Sequence, residues 1–207
     1  QYLNVEEDFV KDLFLGSETR LGRVFVQEEV LSNDNMVHIL DFERASHIIK
    51  TAQHIGIGMC YCRHKMEHVG KNCTAPINDI CMTFGNAADA LIRHDYARRI
   101  DASECMEILA KTYECNLVQF GENVQNGVSF ICNCCGCCCE ALVGAKKFGS
   151  MHPIETTGFI PALNEDTCIS CGKCVKACQI DVMKMEETDF DQASSKSKKV
   201  PVIDDNL

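Results

Sequence analysis

The sequence of 207 residues predicts an α+β fold with an N-terminal α/β part, a helix–hairpin unit and a small C-terminal module. Three observations support this. Apolar residues recur at helical spacing in several segments of the first half, as in amphipathic helices. Two short apolar segments flank an Asn-Gly pair, which is a strong hairpin signal. A stretch containing Gly and Pro then separates a second unit with short strands.

The elements of the first half follow from this periodicity. The expected elements, in chain order, are a helix over residues 5–15, a strand over 24–30, a helix over 41–53, a buried strand over 55–60, and helices over 85–94 and 102–115. Asp101 stands at the start of the last helix, with Glu104 three residues later. This pair is a capping-box arrangement, which marks a helix N-terminus.

A β-hairpin is expected next, because residues 117–120 and 128–132 flank the turn at Asn126 and Gly127. A helix followed by a hairpin resembles a winged helix, but the acidic chain makes DNA binding an unfavoured use of that shape. Residues 148–161 predict a linker. The expected domains are therefore a cysteine-rich domain over 1–147 and a second module over 162–207, with strands over 181–186 and 199–203 around a polar loop.

The composition indicates in which compartment the protein works and which partners it binds. Sixteen cysteines occur without a basic and apolar signal segment before them, so they indicate a reducing, cytoplasmic compartment rather than a disulfide framework. No apolar run approaches the ~20 residues that span a bilayer, and we expect no membrane span. A formal net charge of −10 disfavours nucleic acid and favours redox partner proteins with a cationic docking surface.

The strongest motif is a set of four cysteines at the spacing C-x-x-C-x-x-C-x-x-x-C, namely Cys168, Cys171, Cys174 and Cys178. Cysteines separated by two residues let a tight loop wrap one iron–sulfur cubane, and each thiolate then binds a different iron. Gly172 helps this loop to turn. A zinc knot is the alternative, although zinc sites favour two separated cysteine pairs.

A second group, here called the cysteine run, holds six thiols within residues 132–139: Cys132, Cys134, Cys135, Cys137, Cys138 and Cys139. Disulfides between such close neighbours would be strained, so the expected use of these thiols is metal binding. Cys132, Cys135 and Cys138 repeat the two-residue spacing, which leaves the other three for a second centre. Adjacent side chains of an extended segment point opposite ways, so the run could serve one cluster or two.

A third group comprises Cys60, Cys62, Cys73 and Cys81. Cys60 and Cys62 project to the same side of an extended segment. The segment from Arg63 to Lys71 could then loop back and bring Cys73 near them. Four thiolates are enough for one cubane, and the alternative is that these cysteines are buried small hydrophobes.

Arg63 and His64 are candidate cofactor-binding residues beside this third group. A cation next to an anionic cluster raises its potential, which makes Arg63 the better candidate to act on a cluster from outside its ligand set. His64 and His68 lie one helical turn apart and could ligate iron or donate a hydrogen bond to a cluster. Cys105 and Cys115 fall outside the motifs and are expected to be core thiols.

Residues 162–203 resemble half of a bacterial two-cluster ferredoxin, with Gln179 in place of the usual proline after the fourth cysteine. Residues 202–207 have the same build as the segment that leads into Cys168. We therefore expect a missing C-terminal ferredoxin half to follow Leu207 in a longer polypeptide, and Gln1 indicates a trimmed front. Without that half, either Cys178 completes the local site or the cysteine run supplies a ligand.

The upstream motifs also resemble a known family. Cys60-Tyr-Cys62-Arg-His64, Gly70-Lys-x-Cys73, Cys81-Met-x-Phe-Gly85 and the cysteine run are similar to motifs of 4Fe–4S-binding proteins from anaerobic bacteria and archaea, which carry them before a ferredoxin domain. The resemblance covers roughly residues 20 to 207. It implies cluster binding and electron transfer, and it implies no substrate. With three cysteine groups in the chain, we expect two to three 4Fe–4S clusters and an oxidoreductase-associated role.

The expected function is electron transfer by several clusters in series, because one-electron hopping needs redox centres close together. One alternative is an iron–sulfur enzyme with a non-standard cluster at the cysteine run. The other is a redox sensor or cluster carrier, in which surplus thiols exchange iron or oxidise reversibly. No signature of hydrolytic or phosphate chemistry is present, so a redox subunit is favoured over a stand-alone enzyme.

Overall fold

The computed structural model describes residues 8, 12, 16–31, 39–148, 152, 154–164, 166–187 and 199–204. Apart from residues 8 and 12, the helix expected over 5–15 lies outside the described residues, and so does most of the polar loop before the last strand. None of the helices within these ranges is both long and apolar enough to cross a membrane.

A six-stranded sheet is the framework of the N-terminal part. Its strands lie in the order β1-β5-β6-β3-β2-β4, and every pairing is antiparallel. The expected mixture of helices and sheet is therefore confirmed. The six strands are β1 (Gly22–Val24), β2 (Ile55–Gly58), β3 (Cys81–Phe84), β4 (Arg98–Ile100), β5 (Val118–Glu122) and β6 (Phe130–Cys134).

Six α-helices occur in the described part of the chain. They are α1 (Ala45–Thr51), α2 (Tyr61–His68), α3 (Gly85–Arg93), α4 (Ala102–Glu114), α5 (Glu140–Lys147) and α6 (Lys173–Ala177). Helix α4 begins as expected: the Asp101 carboxylate accepts a hydrogen bond from the Glu104 backbone N–H at 2.8 Å.

The two faces of the sheet differ because side chains alternate along each strand. Met82, Phe84 and Ile131 lie on one face and belong to the main apolar core, which they share with residues of α1 and α4. Cys132 and Cys134 lie on the opposite face of β6, where Leu142 of α5 packs against Cys134. The sheet thus separates an ordinary apolar core from a face that carries thiols.

The predicted hairpin is confirmed, since β5 and β6 pair with Phe120 opposite Cys132. The strand expected over 24–30 is wrong in extent: β1 ends at Val24, and Glu28–Val30 is a 3-10 turn. The Glu28 carboxylate accepts hydrogen bonds from the Ser46 backbone N–H at 3.0 Å and from its hydroxyl at 2.6 Å. The segment therefore holds the start of α1 instead of joining the sheet.

The helix expected over 41–53 is split into a 3-10 turn, Asp41–Glu43, and α1, because Arg44 between them has extended backbone. The pattern did not reveal β3, β4, α2 or α5, which are short or carry cysteines. In the second module, β7 (Met183–Glu187) and β8 (Lys199–Ile203) form a separate antiparallel pair, close to the two strands expected there.

Candidate metal centre

Ten cysteines of the N-terminal part gather into two groups of neighbouring sulfurs. The first, here called the four-thiol group, consists of Cys73, Cys135, Cys137 and Cys138, whose sulfur atoms all lie within 4.8 Å of one another. The Sγ atoms of Cys73 and Cys135 are 3.6 Å apart, those of Cys137 and Cys138 are 3.6 Å apart, and those of Cys73 and Cys138 are 4.0 Å apart.

The second group, here called the six-thiol group, is a chain of neighbouring sulfurs. Each thiol interacts with the next in the order Cys60, Cys81, Cys132, Cys134, Cys139 and Cys62. The sheet explains part of this order. The β3–β6 register pairs Met82 with Ile131, so one further step places Cys81 opposite Cys132.

A cavity of about 310 Å³ lies against the six-thiol group. All six thiols of the group line it, and most of the remaining lining is apolar, including Met59, Phe120, Phe130 and Ala141. Lys65 of α2 and Glu140 of α5 form an ion pair between the two helices that contribute Cys62 and the residues after Cys139. Thiols around an apolar space are a donor set suited to an iron–sulfur cluster.

Cys139 is held in its thiolate form. Hydrogen bonds from the Cys134 and Cys62 thiols, together with the backbone N–H groups of Ala141 and Leu142, lower the pKa of Cys139 to about 3 against the opposing effect of burial. Cys139 stands at the N-terminus of α5. Unpaired N–H groups and the helix dipole favour negative charge at that end of a helix. The fold thus prepares this sulfur to bind a metal.

The pKa of Cys132 is shifted in the same direction, again mainly by neighbouring thiols. Hydrogen bonds from the Cys134 and Cys81 thiols lower the pKa of Cys132 to about 5, although burial opposes the shift. The donor Cys134 shows the opposite shift: its hydrogen bonds to Cys132 and Cys139 raise the pKa of Cys134. From Cys132 through Cys134 and Cys139 to Cys62, charged and neutral thiols therefore alternate, because adjacent sulfurs cannot all ionise without a cation between them.

Arg63 is the cation next to both groups. Its side chain is 0% exposed. Nη1 donates to the Pro76 carbonyl at 2.9 Å and Nη2 donates to the Asn133 carbonyl at 2.6 Å. The guanidinium lies against Cys135, whose pKa it lowers although burial of the thiol acts the other way. It also lies near Cys60 and Cys73, and although burial acts to lower the pKa of Arg63, the neighbouring sulfurs of Cys135, Cys60 and Cys73 raise it.

A buried polar network fixes the strand that carries Cys132 and Cys134. Asn133, which lies between them and points to the opposite face, donates to the Ile80 carbonyl at 2.7 Å. Its Oδ1 accepts a hydrogen bond from Gln119 at 3.1 Å, and Gln119 also donates to the Thr112 hydroxyl at 3.0 Å. All three side chains are buried. Sequence reasoning missed these residues, and Asn133 inside a cysteine run was the available signal.

The ferredoxin-type loop, residues 168–178, is more open. Cys171 and Cys174 are exposed, whereas Cys168 and Cys178 are partly buried. Gly172 has a φ of 68° and leads into α6, so the turn requires its left-handed conformation. Ser170 Oγ is buried and has no hydrogen-bond partner among the described residues. A free donor beside four thiols fits a sulfur-rich cluster that accepts hydrogen bonds.

The loop docks on the cysteine run through Gly136 and Gln179. The Gly136 backbone N–H donates to Gln179 Oε1 at 2.8 Å. A Cβ on Gly136 would lie 1.6 Å from the Gln179 carbonyl oxygen, so only glycine permits this approach. Lys146 of α5 pairs with Asp181 at 2.6 Å beside the contact, and Ile180 packs against the residues around Cys134 and Cys139.

The structure redistributes the cysteines that the sequence grouped. Cys73 lies with the cysteine run rather than with Cys60 and Cys62. The expected triplet of Cys132, Cys135 and Cys138 is divided, because Cys132 remains in β6 while the other two follow the strand and join the four-thiol group.

The remaining candidates lie near the thiols or apart from them. His64 and His68 contact each other, with Nε2 atoms 3.2 Å apart. Cys105 is buried in the main core, as expected, and burial raises its pKa to about 12. Cys115 is exposed, so its expected role as a core thiol is wrong. It ends α4, where the chain turns toward β5.

Residues 161–184 match the family model described as the 4Fe-4S binding domain. No curated protein and no solved structure shows a significant match to the chain. The matched segment contains all four cysteines of the ferredoxin-type loop. The chain therefore contains a 4Fe–4S binding segment, and iron–sulfur chemistry is indicated for it.

Proposed function

We propose that the protein transfers single electrons between two 4Fe–4S clusters, one in the ferredoxin-type loop and one in the cavity of the six-thiol group. The observation that carries this proposal is the Gly136–Gln179 contact, which joins the matched iron–sulfur segment directly to the cysteine run. Clusters bound on either side of that contact would be neighbours. Electron hopping requires such proximity and requires no acid or base.

Cys178 is proposed to complete the ferredoxin-type site together with Cys168, Cys171 and Cys174. The support is the distribution of the other thiols, since each cysteine of the run already has sulfur neighbours in the four-thiol or six-thiol group. When bound, a cluster supplies one-electron redox chemistry. The chain's own residues bind it, and Ser170 has a free hydroxyl for a hydrogen bond to it.

The proposed redox partner presents a cationic surface. The chain has a formal net charge of −10, and thiolate-bound clusters add negative charge. Complementary charge accelerates the encounter of two proteins and is screened by salt. We further propose an anaerobic, cytoplasmic setting, because exposed thiols such as Cys171 and Cys174 are readily oxidised.

Replacing Cys171 with alanine tests the proposal. Wild-type protein purified without oxygen should contain about eight irons and eight sulfides, and the variant should lose about four of each. Electron paramagnetic resonance (EPR) of the reduced variant should then show one cluster signal fewer. Cys115→Ala is the matched control, since Cys115 is also exposed and lies outside both thiol groups. Equal iron content in the two variants would contradict the assignment.

Catalysis at the six-thiol cavity is the second candidate function, and one observation favours it. Seven thiols line this cavity, those of the six-thiol group and Cys135, whereas a cubane needs four ligands. An iron left without a thiolate could bind a small substrate in the apolar space. In the reduced Cys171→Ala variant the remaining EPR signal comes from the cavity. A shift of that signal on adding cyanide would favour catalysis, and an unchanged signal would favour electron transfer.

A further inference from the structure

We propose that the four-thiol group binds a single Zn²⁺ ion rather than an iron–sulfur cluster. The distances between its sulfurs carry the argument. Three sulfur pairs are 3.6, 3.6 and 4.0 Å apart, and all four atoms lie within 4.8 Å of one another. In a tetrahedral zinc site with Zn–S bonds of about 2.3 Å, neighbouring sulfurs are about 3.8 Å apart.

A cubane requires a wider arrangement. Each of its four thiolates binds a different iron at a separate corner, so the thiolate sulfurs are about 6 Å apart. The Sγ atoms of Cys73 and Cys135 are 3.6 Å apart, so they would have to move apart by roughly 2 Å or more to bind a cubane. Cys135 and Cys138 are buried, which restricts such a movement.

The donor set also fits zinc. Four thiolates leave no open position, which is typical of structural zinc sites. The ion would carry a net charge of about −2 with its ligands, and buried Arg63 lies beside Cys135 and Cys73 to offset part of it. The Nε of Arg63 has no hydrogen-bond partner of regular geometry among the described residues. Exposed Cys137 gives the ion a path from solvent.

The zinc ion would cross-link two separate parts of the chain through its cysteine ligands. Cys73 belongs to the segment between α2 and β3, which has no regular secondary structure from residue 71 to 80. The other three ligands follow β6. Zinc has no redox chemistry, so this site would carry no electrons. It would instead hold the loop and the cysteine run together beside the cavity, a role that does not depend on the proposed function.

Metal analysis of Cys137→Ala tests this inference. Full-length protein produced with both metals supplied and purified without oxygen should contain about one zinc per chain. The variant should retain less than about a fifth of it, with iron and sulfide unchanged. Cys115→Ala should keep its zinc. X-ray absorption at the zinc edge of wild type should show four sulfurs at about 2.3 Å and no neighbouring metal.

Other outcomes would overturn it. They are the absence of zinc from the wild type, retention of zinc in both Cys137→Ala and Cys73→Ala, and a loss of iron and sulfide together in Cys137→Ala. Iron exceeding sulfide by about one, without zinc, would identify mononuclear iron and exclude zinc as the native ion. Absence of all iron would defeat electron transfer while leaving the zinc result intact, so the two proposals fail separately.

Discussion

Replacing Arg63 with methionine is expected to lower the free energy of unfolding by about 3 kcal/mol or more, because it leaves buried negative charge without its cation. The Arg63 side chain is 0% exposed and lies between the two thiol groups. Methionine fills a similar volume but donates no hydrogen bond. The carbonyls of Pro76 and Asn133 would lose their donors at 2.9 and 2.6 Å, and each loss adds to the cost.

Anaerobic urea unfolding of the metal-loaded protein would measure this effect as a lower transition midpoint with an unchanged slope. Arg93→Met is the matched control. The Arg93 side chain is 68% exposed and pairs with Asp89 on the same helix, so its loss should change stability by about 0.5 kcal/mol or less. Arg63→Lys should fall between them, since lysine keeps the charge and loses the planar, forked donors. Equal midpoints for Arg63→Met and Arg93→Met would contradict the role given to Arg63.

Local pattern explains why part of the site could be predicted from the sequence. The hairpin signal at Asn126 and Gly127 correctly places Cys132 at a strand, and alternation puts Cys132 and Cys134 on one face. The spacing from Cys168 to Cys178 indicates a cluster loop without any tertiary information, and the family match over 161–184 agrees with it. These features depend on residues that are close in sequence.

The rest depends on long-range packing, which local spacing does not contain. Cys73 joins Cys135 across 62 positions because an irregular segment folds back over the run. Arg63 is buried although arginine is usually exposed, and the reason is a set of acceptors from distant segments. Gln179 seemed only to replace a proline, yet its carbonyl and side chain make the contact with Gly136.

Because Gly136 contacts Gln179 so closely, Gly136→Ala is expected to displace the ferredoxin-type loop from the cysteine run. The new Cβ would lie 1.6 Å from the Gln179 carbonyl oxygen and 2.7 Å from its carbon. Both are backbone atoms, which cannot turn away as a flexible side chain could. Overpacking of this kind costs about 1–3 kcal/mol when neighbours adjust, and separation of the two surfaces removes the clash.

Hydrogen–deuterium exchange would detect the separation. Peptides covering residues 168–187 and 132–139 should exchange faster in Gly136→Ala than in wild type, because both surfaces gain access to water. Gly158→Ala is the matched control: a Cβ there meets nothing within 4 Å, and its backbone has no positive φ. Gln179→Ala removes only the acceptor of the Gly136 N–H and should have a smaller effect, about 1 kcal/mol.

Gly136→Ala also distinguishes the binding of the clusters from the magnetic interaction between them. The four cysteines of the ferredoxin-type loop are untouched in Gly136→Ala, so its iron and sulfide content should equal that of wild type. In fully reduced wild type, two paramagnetic clusters on either side of the contact should broaden each other's EPR signals. That broadening should weaken in Gly136→Ala and persist in Gly158→Ala. If all three proteins show the same exchange and the same line widths, the Gly136–Gln179 contact does not couple the two sites.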